Sequence, residues 1–217
     1  MSRAPSRPLR VVIADDHPFY RRGLARSLQA SGIEVAAQAP NGEAAVLAVL
    51  ETVPDVVVMD LNMPRMSGLE ATQRLLEQAP ATRVLVLTVS ADVTDLADAI
   101  LAGARGYVLK DRPVQEVVEA VRATAEGGAP ISPLLAMPLL RRLRGPSGEV
   151  EIGDADLDAV EHDLLALIAG GHADHEIAEA LGTTEAEARE HASSILAKLR
   201  PDRRAEAALR ASGSHRA

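Results

Sequence analysis

Five short apolar runs, four of them ending in a residue able to do chemistry, constrain this chain more than any other feature. Residues 9-LRVVIA-14 run into Asp15-Asp16, 55-DVVVMD-60 ends in Asp60, 83-RVLVLT-88 in Thr88, and 106-GYVLK-110 in Lys110; a fifth run is 33-IEVAAQA-39. Three of the five are continuously apolar rather than alternating, as expected of strands buried on both faces. Between them lie segments with helical spacing: 17–31 with Phe19, Leu24 and Leu28, a helix opened by Asn41 that carries Ala45, Val46, Val49 and Leu50, then 69–79, 94–104 and about 113–126. Strand and helix in strict alternation predict an α/β fold, a doubly wound five-stranded parallel sheet covered on both sides.

In open parallel sheets, ligands bind beyond the carboxyl ends of the strands. Asp15, Asp16, Asp60, Thr88 and Lys110 would therefore converge on one crevice. Carboxylates this close repel one another and need a proton or a divalent cation between them. An oxygen-rich set without His or Cys favours Mg²⁺. A central aspartate could then attack a phosphoryl donor, with the metal and a lysine neutralising the charge that develops and Thr88 donating to a phosphoryl oxygen. Phosphatases of the haloacid-dehalogenase type also use a strand-end aspartate, but they require a second aspartate two residues later, where this chain has Asn62.

The combination of Asp15-Asp16, 60-DLNMPRMSGLEA-71, 84-VLVLT-88 and 106-GYVLKD-111 resembles the receiver domain of bacterial two-component response regulators, the NarL/FixJ subgroup in particular. The resemblance covers residues 9–128 and implies a flavodoxin-like receiver with specific roles. Asp60 would be the phosphoacceptor, charged by a histidine kinase. Asp16, Asp60 and the backbone carbonyl of Asn62 would bind Mg²⁺ directly and Asp15 through water. Lys110 would pair with the phosphoryl group, and Thr88 and Tyr107 would form a switch that moves inward on phosphorylation. Such a domain catalyses its own phosphotransfer and dephosphorylation rather than turning over a substrate, and its phosphorylated form is expected to be a homodimer.

Composition sets the compartment. The 217 residues include no cysteine, which excludes disulfides and thiolate metal sites, and no apolar run approaches the roughly 20 residues a membrane span needs. The N-terminal MSRAPSRPLR lacks the apolar stretch of a signal peptide. A cytoplasmic protein is expected.

The organisation read from the sequence is a receiver at 1–128, a linker at 129–153 and a small all-α domain at 154–217. In the linker, 134-LLAMPLLRRLR-144 could form short helical pieces limited by Pro138, carrying Arg141, Arg142 and Arg144. These arginines could meet DNA, or the acidic last domain in a closed state. Segments 157–171, 174–182, 185–199 and 203–211 read as four helices with a disordered tail, the second and third joined by Gly182-Thr183-Thr184 in the manner of a helix-turn-helix. Leu157, Glu161, Leu164-Leu165, Glu176-Ile177-Ala178, Leu181, His191, Ile195 and Lys198-Leu199 resemble the LuxR-type DNA-binding domain. Such a domain would make the chain a transcription regulator reading DNA through Arg189, Glu190, His191, Ser193 and Lys198.

The charge is unusual for that role. The net charge is −8, and residues 154–217 carry 13 acids against 7 bases. Asp174 and Glu187 stand at positions that approach phosphate in the family. Since phosphate neutralisation supplies most non-specific affinity for DNA, a second reading stands beside the first, an output domain that has become a protein-interaction or dimerisation module. His172 and His175, beside Asp174 and Glu176, lack a third ligand at metal-site spacing and read as turn residues.

Overall fold

The computed structural model describes residues 7–142 and 156–198. The expected helix at 203–211, the tail, Leu199 and Arg144 lie outside the described residues. By internal contacts the chain divides into two compact units, Met1–Val89 with Ala102–Gly127, and Ser90–Leu101 with Gly128–Ala217.

In the first unit the strands β1 (Arg10–Ala14), β2 (Glu34–Ala39), β3 (Val56–Met59), β4 (Arg83–Thr88) and β5 (Gly106–Leu109) form one sheet in the order β2-β1-β3-β4-β5, every neighbouring pair parallel. β1, β3, β4 and β5 are almost wholly buried, while β2, at the edge, is mostly half-exposed. That difference matches their sequences, because an edge strand tolerates Glu34 and Gln38 where a central one carries Val and Ile. Successive strand side chains point to opposite faces. Val11, Ile13, Val56, Val58, Leu85, Leu87 and Val108 accordingly join Leu24 and Leu28 of α1 (Pro18–Ala30) and Val117 and Val121 of α5 (Val114–Ala125) in one core. The helices α2 (Gly42–Thr52) and α3 (Gly68–Gln78) pack on each other and bury Ala45, Val46, Val49, Ala71 and Leu75.

Both helices begin on side-chain caps. Asn41 accepts the amide of Ala44 at 2.9 Å, and Ser67 with Glu70 forms a reciprocal capping box. Hydrogen bonds from the Ser67 amide and the Ser67 hydroxyl hold the Glu70 carboxyl below its ordinary value.

The second unit contains α4 (Val93–Leu101), α6 (Pro133–Arg142), α7 (Ala159–Gly170), α8 (Asp174–Leu181) and α9 (Glu185–Lys198). The expectation for Pro138 is corrected here, because α6 runs through it as one continuous helix. An interior proline costs about 3 kcal/mol. Burying Leu135, Met137, Leu139 and Leu140 returns about 1.5–3 kcal/mol per side chain, which outweighs it. The carbonyl that loses its donor belongs to Leu134, which is exposed. Helix α7 starts on an Asp158–Glu161 capping box and stops at Gly171, whose φ of 83° is a left-handed conformation suited to glycine. Gly182 ends α8 in the same way, with φ 65°.

Candidate functional site

Register decides which strand-end residues meet. Ala14 of β1 pairs with Met59 of β3, so the next residues, Asp15 and Asp60, leave the sheet side by side at the point where the strand order reverses. Each is fixed by its amide, Asp15 to the carbonyl of Ala39 at 3.0 Å and Asp60 to that of Ala14 at 2.9 Å. Thr88 pairs with Leu109, and the Lys110 amide donates to the Thr88 carbonyl at 2.8 Å.

Three of the five strand-end residues meet directly, and a fourth, Thr88, is buried at the end of β4, paired to β5. Asp15, Asp60 and Thr88 are buried, and Lys110 reaches across to donate from Nζ to Asp60 Oδ2 at 2.6 Å and to contact Asp15 Oδ2 at 2.8 Å. Burial alone would lower the Lys110 pKa, but its hydrogen bonds to Asp15 and Asp60 and their negative charge hold it above the ordinary value. The fifth residue, Asp16, joins from the rim. Asp15, Asp16, Asp60 and His17 each offer a ligand atom within 4.8 Å of the others.

Asp16 carries the best indication of what the cluster is for. Its Oδ1 is buried without a hydrogen-bond donor, although His17 Nδ1 stands 2.7 Å away out of hydrogen-bonding line. A buried carboxylate oxygen with no donor is costly. Two carboxylates share one ammonium while Asp16 stands beside them, and its oxygen is the complement of a small hard cation. The residues present therefore fit Mg²⁺. Asn62, whose carbonyl was expected to take part, is an exposed residue two positions after Asp60, between buried Leu61 and Met63.

The loop is held close to the site by glycine. A methyl group on Gly68 would come within 1.9 Å of the Asp60 carbonyl oxygen, and one on Gly42 within 2.6 Å of that of Met66. The Gly68 amide donates to Leu61 at 2.9 Å, so α3 starts against the backbone of the aspartate itself. Tyr107 is 1% exposed, so the ring expected to move inward already lies inside.

One participant was missed in the sequence. The ring of Tyr20, on the first turn of α1, lies with its centroid 5.0 Å from Lys110 Nζ. Its phenol is pushed up to about 12 by burial first and then by Asp15 and Asp60. Its place four residues after the Asp15-Asp16 pair, one helical turn in, was the available signal.

The second candidate site, the α9 residues expected to contact DNA, is less uniform than expected. Lys198 donates to Glu161 Oε2 at 2.6 Å, on the α7 side, and Ser194 donates to Glu161 Oε1 at 2.8 Å. Burial pushes the Glu161 carboxyl up, but Lys198, the Asp158 amide and Ser194 more than reverse this and leave it below its ordinary value. Arg189 reaches Glu185 at 2.6 Å and Asp174 at 3.3 Å, and the Ser193 hydroxyl donates to the Ile131 carbonyl. Glu190 is exposed and His191 half-buried. His172 holds the end of α7 through a contact of its Nδ1 with the Leu167 carbonyl at 3.0 Å.

The acids that looked out of place have internal partners. Glu187 accepts from the Thr183 hydroxyl at 2.5 Å, the Thr184 amide at 2.9 Å and the Thr184 hydroxyl at 2.9 Å, which together lower its pKa to about 2. Asp174 is shared by Arg141 at 2.7 Å and Arg189 at 3.3 Å.

Comparison with known proteins agrees with the geometry. Residues 11–122 match the response regulator receiver domain family. The transcriptional regulatory protein LiaR of Bacillus subtilis is 36% identical over 95% of this chain and 98% of its own. The nitrate/nitrite response regulator NarL of Escherichia coli K12 is 34% identical over 93% and 94%. Among solved structures, the response regulator ChrA of a heme-sensing two-component system is 32% identical, with a TM-score of 0.52 over 93% of this chain and 96% of that one.

Proposed function

The chain belongs to the response regulator family, its receiver domain spanning residues 11–122, and from that premise we propose that Asp60 is its phosphoacceptor and that the helical unit acts on DNA. It is a response regulator that controls transcription, as the names of relatives covering nearly its whole length state of themselves. The observation that carries the assignment of Asp60 is its place, buried at the sheet's switch point, beside Asp15 and 2.6 Å from Lys110.

An Asp60 carboxylate oxygen attacks the phosphorus of a phosphohistidine on a histidine kinase. The new P–O bond forms as the P–N bond breaks, and the electron pair leaves with the histidine nitrogen. Asp16, Asp60 and the Asn62 carbonyl would hold Mg²⁺ directly and Asp15 through water, and the bound metal would supply positive charge to the transferring group. Lys110, already in the pocket as a cation, follows the new negative charge from the carboxylates to the phosphoryl oxygens. Thr88, at the end of the adjacent strand, donates to the same group, and its shift beside the already buried Tyr107 alters the receiver surface. Dimerisation of the phosphorylated form then raises DNA affinity. The work is placed in the cytoplasm, where kinase and DNA are both available; among the described residues no helix is long and apolar enough to cross a membrane.

The internal roles of Glu187 and Asp174 support the DNA reading, since they account for two acids that otherwise argue against it. Acetyl phosphate with Mg²⁺ should add one phosphate, read as intact mass, to the wild type and none to Asp60→Asn; equal labelling would refute the assignment. Titration of labelled duplex at several salt concentrations tests the output, a steep fall in affinity with salt marking a DNA binder.

A further inference from the structure

A lysine ammonium has three N–H donors, and in Lys110 Asp15 and Asp60 take two of them. An aromatic face stands over the same nitrogen. The centroid of the Tyr20 ring lies 5.0 Å from Nζ, inside the roughly 6 Å at which the negative face of a ring attracts a cation. Tyr20 is half-buried, packed against the core under α1, and its phenol, pushed up to about 12, is neutral at ordinary pH. The first turn of α1 is tied to Asp15 twice over. The His17 amide donates to Asp15 Oδ1 at 2.8 Å, and the Arg21 guanidinium donates to the Asp15 carbonyl. The ring therefore keeps a fixed place relative to the carboxylates. Phe19, its neighbour, is paired with Arg22 at 5.1 Å but is 84% exposed, whereas the Lys110 side chain is only 7% exposed. Such a contact is stronger where the cation has lost its water.

Resting on the reading of Asp60 as the phosphoacceptor, we propose that Tyr20 is a positioning residue for phosphotransfer. Its ring face holds the Lys110 ammonium beside Asp60 without occupying any of the N–H donors that phosphoryl oxygens need. A carboxylate or an amide oxygen in the same place would hold the ammonium by accepting one of those N–H groups, and would compete with the incoming phosphoryl group. The ring acts on the charge alone. As the phosphoryl group arrives, Lys110 turns its donors from the carboxylates to the new oxygens. Its flexible four-carbon stem then has other directions open to it, and the ring favours the one that keeps Nζ at the site. Tyr20 makes no bond to the transferring group; it acts through Lys110.

The test is the rate at which acetyl phosphate with Mg²⁺ labels the full chain, read as intact mass. Tyr20→Leu keeps apolar bulk but loses the π face, and should label roughly two- to fivefold more slowly than the wild type. Tyr20→Phe keeps the face and should label at the wild-type rate. Successive fluorination of that phenylalanine ring draws electron density from its face at nearly constant shape. It should slow labelling step by step while the melting temperature holds, a response that packing alone does not give. Phe19→Leu, one residue away, should leave the rate unchanged. A rate that stays flat across the fluorine series overturns the proposal. So does Tyr20→Leu labelling as fast as the wild type, Tyr20→Phe labelling as slowly as Tyr20→Leu, or an equal loss in Phe19→Leu. If Asp60→Asn labels as the wild type does, the phosphoacceptor reading falls and the role of Tyr20 with it. If Asp60→Asn abolishes labelling and the fluorine series is flat, the role of Tyr20 alone is wrong.

Discussion

Lys110 Nζ lies 2.6 Å from Asp60 Oδ2, and both side chains are more than nine-tenths buried. With Asp15 at 2.8 Å from the same ammonium, one cation holds two buried anions at once.

Removing that cation should therefore be felt before any chemistry. Lys110→Met leaves Asp15 and Asp60 buried and unpaired, and breaking such a pair costs about 3–5 kcal/mol where the anions stay charged and dry. In EDTA the variant should melt several degrees below the wild type. Millimolar Mg²⁺ should restore more stability to the variant than it adds to the wild type, because the metal takes over the neutralisation. Equal Mg²⁺ effects on the two melting temperatures would show that the carboxylates do not depend on Lys110.

Gly68 is required by space rather than by conformation. A methyl group 1.9 Å from the Asp60 carbonyl oxygen must displace either the start of α3 or the backbone of Asp60. Gly68→Ala should destabilise the receiver by roughly 1–3 kcal/mol, as overpacking does, and slow labelling by acetyl phosphate with it. Gly23, where a methyl group meets nothing within 4 Å, is the control: Gly23→Ala should leave labelling unchanged. Urea denaturation and the labelling rate together check both.

These contacts mark how far the sequence could be read. The strands were legible because a strand buried on both faces has to be a continuous apolar run, and Asp15, Asp60, Thr88 and Lys110 were legible as a group because parallel topology sends all strand ends one way. Which carboxylates share Lys110 depends on β1–β3 register, which periodicity does not encode. Pro138 read as a breaker because its cost is local, while the burial that offsets it is tertiary. Asp174 looked misplaced because its partner Arg141 lies 33 residues away. Glu187 was readable, since Thr184-x-x-Glu187 is a capping box signature; reading it only as a charge near DNA hid its role.

Glu161 should set an acid limit on the helical unit. Its carboxyl is held below its ordinary value in the folded chain, so it contributes stability that is complete above the unfolded value of about 4.3 and is lost as pH falls through the lower, folded one. Melting followed between pH 3 and pH 7 should show this loss in the wild type and a flatter acid limb in Glu161→Gln. If the two curves stay parallel below pH 4.5, the Lys198, Asp158 and Ser194 contacts do not act on the carboxylate as described.

Lys198 separates scaffold from DNA contact on α9. Removing one phosphate-neutralising side chain from a DNA-binding protein reduces the slope of log affinity against log salt by about 0.9. Lys198 instead faces α7, and the Glu161 hydrogen bond raises its pKa. Lys198→Ala should lower the melting temperature of the helical unit and leave the salt slope unchanged. Arg189, paired away from α7, should behave the opposite way in the acetyl phosphate-treated chain: Arg189→Ala should flatten the slope by about one unit, with little change in melting because its ion pairs to Glu185 and Asp174 are half-exposed. A slope that flattens with Lys198→Ala would place the DNA surface of α9 on the α7 side and require a different role for Glu161.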